Sequence, residues 1–312
     1  MINIIQEKKI NESSKLFTEY LAFLQNHQSL AQTTIRRYRN YVKAFLDTLN
    51  NHATPSRIRN LTANKIHDYV IQTAKPFSRN KQKFLVSSLR SFLNFLHFRG
   101  YLNRNLVPAV PIIKTPKLAS IPQAIPWDSV KELLSIPNRT TSTGRRDYAV
   151  LQLLATYGVR IRQALNLRIC DIKWEEKTIY FQPCKGGNPL CFPLQKDVAQ
   201  ALLEYLRMDR GNTPVSQVFL TIKGPKRPLS LNNTLGRSLK PYYKLAGIKP
   251  IIGVSRPIRH AFAIRLMEQE VPIKTIADLL GHRCINTTFI YTKVDLRHLR
   301  LLARDWPKEV PL

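Results

Sequence analysis

VSRPIRHAFAIRLMEQEVPIKTIADLLGHRCINTTFIYTKV, residues Val254–Val294, decides how the chain is read, because three helical segments follow from its local chemistry. Pro257 suits a first helical position, where its missing N–H costs nothing. That places Arg256 at the cap and Arg259 in the first turn, beside a helix N-terminus that attracts anions. Ile273, Ile276, Leu279 and Leu280 then form an apolar stripe at 3–4 spacing. Gly281 stops that helix and His282 follows it. Asn286 can cap a third segment, with Tyr291 about one turn inside.

RHAFAIRL, LLGH and INTTFIYTKV, in that order, resemble the signature of the tyrosine recombinases, the phage integrase or Xer-like family. The family pattern runs roughly HxxRHxFA, LGH, TTxxYTH. His282 follows Arg259 by 23 residues (282 − 259) and Tyr291 follows His282 by nine (291 − 282), which fits that pattern. One departure is plain: the family's first histidine falls on Arg256, so this chain reads RxxR.

The 312 residues, 44% of them apolar, are enough for two domains with cores. With 49 basic residues against 20 acidic ones the net charge is +29. No fold requires such an excess; it points to a polyanionic partner, double-stranded DNA first. No apolar run approaches the ~20 residues of a spanning helix, and no signal-peptide core opens the chain. The expectation is therefore no membrane partner and a cytoplasmic, nucleoid-associated protein of a bacterium. Cys170, Cys184, Cys191 and Cys284 show neither CxxC pairing nor histidine partners at ligand spacing. They predict no metal site and no disulfide framework, only reduced and mostly buried thiols.

From Glu12 to about Leu106 the pattern is helical, with Leu16, Tyr20 and Leu24 repeating on one face. A second helix starts near Thr33–Thr34 and carries Tyr38, Val42 and Phe45. Thr62 can cap a third, and Ser78 can open a fourth that runs through Phe92 and Leu96 to Gly100. Between Leu30 and Asn105 there are fourteen Lys and Arg residues against only Asp47 and Asp68. Arg36, Arg37, Arg39 and Lys43 cluster on one helix, and Arg79, Lys81 and Lys83 open another. A merely soluble face would mix its charges, so these residues are the candidate DNA contacts. The segment is similar to the family's core-binding domain, down to SSLRSFLNFLHFRGYLNRNLV as its last helix.

Five prolines between residues 106 and 126 rule out a continuous helix and predict an extended linker. A helix near Trp127–Ile136 follows, then a long helix ending at Gly158 and a short one after Arg160. TYGVRIRQALNLRICDI resembles the family's TGLRxSELxxLxxxDI block, which puts its first catalytic arginine on Arg160. The acidic neighbour of that block is Gln163 here. Thr178–Phe181 and Leu190–Pro193 read as strands joined by PCKGGN, and Gly186–Gly187–Asn188 is hairpin-turn chemistry. Lys185 stands where the family's hairpin carries its catalytic lysine. Residues 195–209 read as a helix, Val218–Leu220 as a short strand and Ser230–Ala246 as a helix.

The resemblance implies a mainly α fold with a small antiparallel β-sheet: an all-helical N-terminal core-binding domain (12–105), a Pro-rich linker (106–126), an α+β catalytic domain (127–297) and a C-terminal tail (298–312). It also implies a site-specific recombinase or integrase, acting as a tetramer on DNA without cofactor, metal or ATP. Accessory DNA-bending proteins or a partner recombinase are further partners of that kind. Too few residues precede the first lobe for an arm-binding domain, so an Xer-like or simple mobile-element enzyme is expected. Breaking a phosphodiester without metal needs a nucleophile, a cationic cradle and a proton donor. Arg160, Arg259 and Arg256 suit the cradle, Lys185 the donor, His282 a hydrogen bond to phosphate and Tyr291 the attack. Neighbouring cations are expected to favour its phenolate. His260 reads as a packing residue. Two alternatives stay open: a type IB topoisomerase-like enzyme, and a degenerate recombinase that only binds DNA as a regulator, suggested by Arg256 and Gln163.

Overall fold

Apolar residues at helical spacing dominate the first third of the chain, and in the computed structural model they form helices that bury those stripes. The structure describes residues 15–28, 30–49, 58–114, 122–184, 188–230, 236–248, 253 and 255–294. Lys185, the Gly186–Gly187 pair and the tail from 295 onward lie outside the described residues. The chain divides into two compact units, Met1–Lys117 and Leu118–Leu312.

In the first unit, α1 spans residues 15–26, α2 Gln32–Thr48, α3 Ala63–Ala74 and α4 Arg79–Phe98. The core contains the stripes read from spacing, Leu16, Tyr20 and Leu24 against Val42, Phe45, Phe92 and Leu96, joined by Ile66, Val70 and Leu89. Tyr20 lies edge-on to Phe92 at 5.0 Å. Each such side chain contributes about 1.5–3 kcal/mol on burial, so this layer holds the helices more firmly than their caps do. Thr62 caps α3, its Oγ1 accepting from the Lys65 N–H at 3.4 Å. Ser78 precedes α4 without a side-chain cap, and Gly100 turns the chain out of it at φ 74°.

The second unit is built round α6, Ser142–Tyr157, with α5 (Trp127–Ser135) before it and α7 (Ile161–Leu165) after it. A three-stranded antiparallel sheet follows in the order β1 (Ile172–Lys173), β2 (Thr178–Phe181), β3 (Leu190–Pro193). Ile179 pairs with Phe192 and Phe181 with Leu190, so alternation sends these four inward. Phe192 stacks on Tyr157 of α6 at 5.0 Å. Then come α8 (Lys196–Tyr205), α9 (Gly236–Leu245), α10 (Arg256–Glu268) and α11 (Ile273–Leu279). Two 3-10 turns close the described chain, Ile285–Thr287 and Tyr291–Val294.

Several expectations need correction. The helix over 195–209 is α-helical only to Tyr205 and widens to a π-turn over Leu206–Arg210. There the buried Arg210 guanidinium donates to the carbonyls of Val215 and Gln217, bonds that a continued α-helix would not place it to make. Val218–Leu220 forms no strand: the isolated bridges Arg168 to Gln217 and Leu220 to Pro228 face different stretches, so its backbone bonds are divided between Leu167 and Leu229. Of Ser230–Ala246, Gly236–Leu245 is helix and 231–235 is not described. Ser255, not Arg256, is the N-cap of α10, which makes Arg256 its first residue and Pro257 its second. Asn286 lies within a 3-10 turn instead of capping a helix, and Tyr291 opens the next turn. Three cysteines are exposed and Cys184 is half-buried: Cys191 takes an outward strand position, Cys170 lies in the 3-10 turn Ile169–Asp171, and Cys284 precedes the turn Ile285–Thr287.

Candidate active site

Gly158 begins the site. Its φ of 59° ends α6, and a Cβ there would collide with the Phe262 ring of α10. The tight turn leaves Arg160 at the N-cap of α7, half-buried. Gln163 Oε1 accepts the Arg160 N–H at 3.1 Å, so the amide performs the capping that an acid at 163 would, without its charge. The Arg160 Nη1 reaches the carbonyls of Leu280 and Gly281 at 3.4 and 3.3 Å.

Arg259, on the first turn and a half of α10, is 8% exposed. Its Nη1 donates to the Gly158 carbonyl at 2.8 Å and its Nη2 to the Leu280 carbonyl at 2.7 Å. Both guanidinium groups thus converge on Leu280, whose carbonyl is turned toward them where α11 ends. Gly281 makes that ending, at φ 61°, and its N–H bonds the Asp278 carbonyl. Burial first, and Arg160 second, push the Arg259 pKa down to about 10. Among the described residues no carboxylate pairs with Arg160 or Arg259.

His282 follows that glycine and is 9% exposed. Arginine can only donate, so the 2.9 Å contact from Arg259 Nη2 makes His282 Nε2 the acceptor. The ring proton then sits on Nδ1, which donates to Thr288 Oγ1 at 2.7 Å. Burial, then Arg259, Arg160 and His260, push the His282 pKa down to about 4. The ring is neutral at pH 7.

Tyr291 is 1% exposed, its N–H held by the Thr288 carbonyl. Its hydroxyl lies 2.9 Å from His260 Nδ1, and the two rings meet edge to face at 5.5 Å. Contrary to the expectation that nearby cations would favour the phenolate, its pKa is raised: burial outweighs the downward pull of Arg259 and Arg160. His260, read from the sequence as packing, is therefore the polar partner of the tyrosine. No local pattern announces this, since 31 residues of chain separate the two groups.

Arg256 is exposed, one turn before His260. Its charge is the first, after burial, of the influences that push the His260 pKa down to about 4, with Arg259 next. Arg160, Arg259, His282 and Tyr291 are thus gathered in one cluster with Arg256 at its edge, while Lys185 lies outside the described residues. In the other unit Arg36, Arg37, Arg39 and Lys43 of α2 and Arg79, Lys81 and Lys83 of α4 are all exposed. Arg37 covers the Phe84 ring at 4.7 Å and Lys81 the Phe77 ring at 5.8 Å, so aromatic faces hold part of this basic surface in place.

Two family models match the chain: the phage integrase family over residues 123–298, and the phage integrase N-terminal SAM-like domain over residues 17–100. The y4rA protein of Sinorhizobium fredii is 34% identical over 290 residues, which cover 93% of this chain and 70% of that one. The tyrosine recombinase XerC of Oceanobacillus iheyensis is 26% identical over 298 residues, covering 93% and 95%. In fold the chain is similar to the XerH site-specific recombinase bound to its palindromic difH substrate (TM-score 0.74, 17% identity, 95% and 85% covered). It is also similar to a lambda integrase(75-356) dimer bound to a COC' core site (TM-score 0.68, 18% identity, 96% and 99% covered). With both units matched and a relative one-third identical along nearly the whole chain, the protein belongs to the phage integrase family of tyrosine recombinases.

Proposed function

We propose that the protein cuts and rejoins duplex DNA at specific sites through a 3′-phosphotyrosine link on Tyr291, with neither metal nor nucleotide. The observation that carries this reading is the pair of guanidinium groups, Arg160 and Arg259, gathered beside His282 and Tyr291 with no carboxylate among the described residues to neutralise them. Such a charge is what a trigonal-bipyramidal phosphate needs. Tyr291 Oη bonds to phosphorus as the bond to the 5′-oxygen breaks, and Lys185 supplies the proton to that oxygen. Rejoining runs the same steps backward. For His282 to donate to a phosphate oxygen, Nε2 must gain a proton, which an anion at that nitrogen favours.

Residues 12–105 serve in this reading as the core-binding domain, 127–297 as the catalytic domain, and the protein acts as a tetramer on two duplexes. Replacing Arg36, Arg37, Arg39 and Lys43 by alanine should lower the log–log salt slope of duplex binding by about 0.9 for each phosphate that is no longer neutralised. An unchanged slope between roughly 50 and 200 mM salt would assign that basic face to something other than DNA.

Sequencing DNA that stays attached to the protein after denaturation tests the whole reading: one recurring site is expected. Plasmid relaxation without any site would favour a topoisomerase-like enzyme, and no adduct at all a DNA-binding regulator. Arg256 bears on that last alternative, since its exposed side chain can only donate, whatever the pH. Removing one charge-assisted hydrogen bond to phosphate costs about 1.5–3 kcal/mol. Arg256→Ala should therefore cleave the captured site roughly 10- to 100-fold more slowly. Wild-type rates would put Arg256 outside the site.

A further inference from the structure

We propose that His260 is the group that takes the hydroxyl proton of Tyr291 as the tyrosine attacks phosphorus, and returns it on rejoining. The inference rests on Tyr291 being the nucleophile. His260 Nδ1 lies 2.9 Å from the reacting oxygen, within reach for direct transfer. Transfer in this direction requires the phenol to donate, with Nδ1 the bare nitrogen and Nε2 carrying the ring proton.

Among the described residues, the groups around Tyr291 leave this work to His260. Arg160, Arg256 and Arg259 can only donate. Both ring nitrogens of His282 are engaged, by Arg259 and by Thr288. Tyr291 is 1% exposed, which keeps bulk water from its oxygen in the free protein. Position 256, where the family pattern has a proton-accepting side chain, holds an arginine. Because His260 follows Arg259 directly on α10, whatever seats the cradle also seats the acceptor.

The same contacts hold the acceptor idle until DNA arrives. Burial and the charges of Arg256 and Arg259 keep the imidazole neutral and its pKa down at about 4. A phosphate anion beside Arg259 offsets that repulsion, and the phenol turns acidic as its oxygen bonds to phosphorus. In the step, the Oη–P bond forms and the P–O5′ bond breaks. The phenol proton passes to Nδ1, giving an imidazolium, while the 5′-oxygen takes its proton from the separate donor. In reverse, the 5′-hydroxyl attacks, its proton returns to that donor, and the departing phenolate recovers its own from Nδ1.

Two measurements test this. On free wild-type protein at pH 7, nitrogen-15 resonances should show His260 Nδ1 unprotonated and shifted in Tyr291→Phe; a protonated Nδ1 would overturn the proposal. Single-turnover cleavage of the captured duplex is then compared for wild type, Tyr291→Phe, Lys185→Ala, His260→Ala and His260→Asn. Each is run with oxygen and with sulfur at the 5′-bridging position. Asparagine offers the phenol an oxygen acceptor but cannot hold the proton, so both His260 variants should cleave about 10²- to 10⁴-fold more slowly. Sulfur leaves without protonation and should rescue Lys185→Ala but neither His260 variant. Wild-type rates in His260→Asn would reduce the ring to a support, and rescue by sulfur would move it to the leaving group; either overturns the proposal. An adduct in Tyr291→Phe removes the nucleophile and this inference with it, whereas an adduct absent there and undiminished in His260→Ala overturns this inference alone.

Discussion

Tyr291→Phe should bind duplex DNA as wild type does and give no denaturation-resistant adduct on a nicked suicide duplex. The substitution removes one oxygen and leaves a ring that packs with Ala263, Ile276 and Leu280. His260 Nδ1 loses its donor, a cost of about 1 kcal/mol, too small to unfold the unit. Because the variant keeps its shape and its cations, a missing adduct can be assigned to the missing oxygen. Trapping works because the nicked strand diffuses away and blocks rejoining, so even slow attack accumulates. A normal yield of adduct would take Tyr291 out of the mechanism.

Arg259→Met should separate stability from cleavage. The buried guanidinium loses its hydration without gaining a carboxylate among the described residues, and charge-assisted bonds to Gly158, Leu280 and His282 only offset that loss. A methionine fills similar space at no desolvation cost, so folding stability should stay within about 2 kcal/mol of wild type, with a rise as acceptable as a fall. Cleavage should fall about 10³-fold, because one oxyanion-stabilising donor alone is worth 10²–10³ and arginine offers two. Thermal melting beside single-turnover cleavage reads both numbers. A rate within about tenfold of wild type would show that Arg259 faces no phosphate.

Much of this is legible in the sequence alone, and the residues show why. Gly158, Thr62 and Gly281 act locally, through a left-handed turn or a cap, so their elements end where the pattern says. Thr178–Phe181 and Leu190–Pro193 alternate, and period two marks strands without a partner being known. The π-turn after Tyr205 is not legible, because it depends on carbonyls that Arg210 meets only after the chain has doubled back. Val218–Leu220 has strand residues, but its backbone bonds go to two different stretches, Leu167 on one side and Leu229 on the other, so no continuous ladder forms. The His260–Tyr291 contact is hidden for a related reason. Helical periodicity turns His260 about 100° away from Arg259, and only the 3-10 turns after His282 bring the phenol back to it. The upward shift of the tyrosine needs burial, which a list of neighbouring charges does not contain.

The missing side chain at Gly158 ties two distant parts of the chain together. Phe262 occupies the space where a Cβ would stand, and the Gly158 carbonyl takes the Arg259 guanidinium from one turn earlier on the same helix. The hinge that aims Arg160 is thereby clamped to the helix that carries Arg259. Positions 158 and 262 consequently answer to each other: a larger residue at the first needs a smaller ring at the second, and still meets the strain of φ 59°. Any change at Gly158 would therefore move the Arg160 turn and the Arg259 helix together, so the spacing of the two guanidinium groups answers to one glycine.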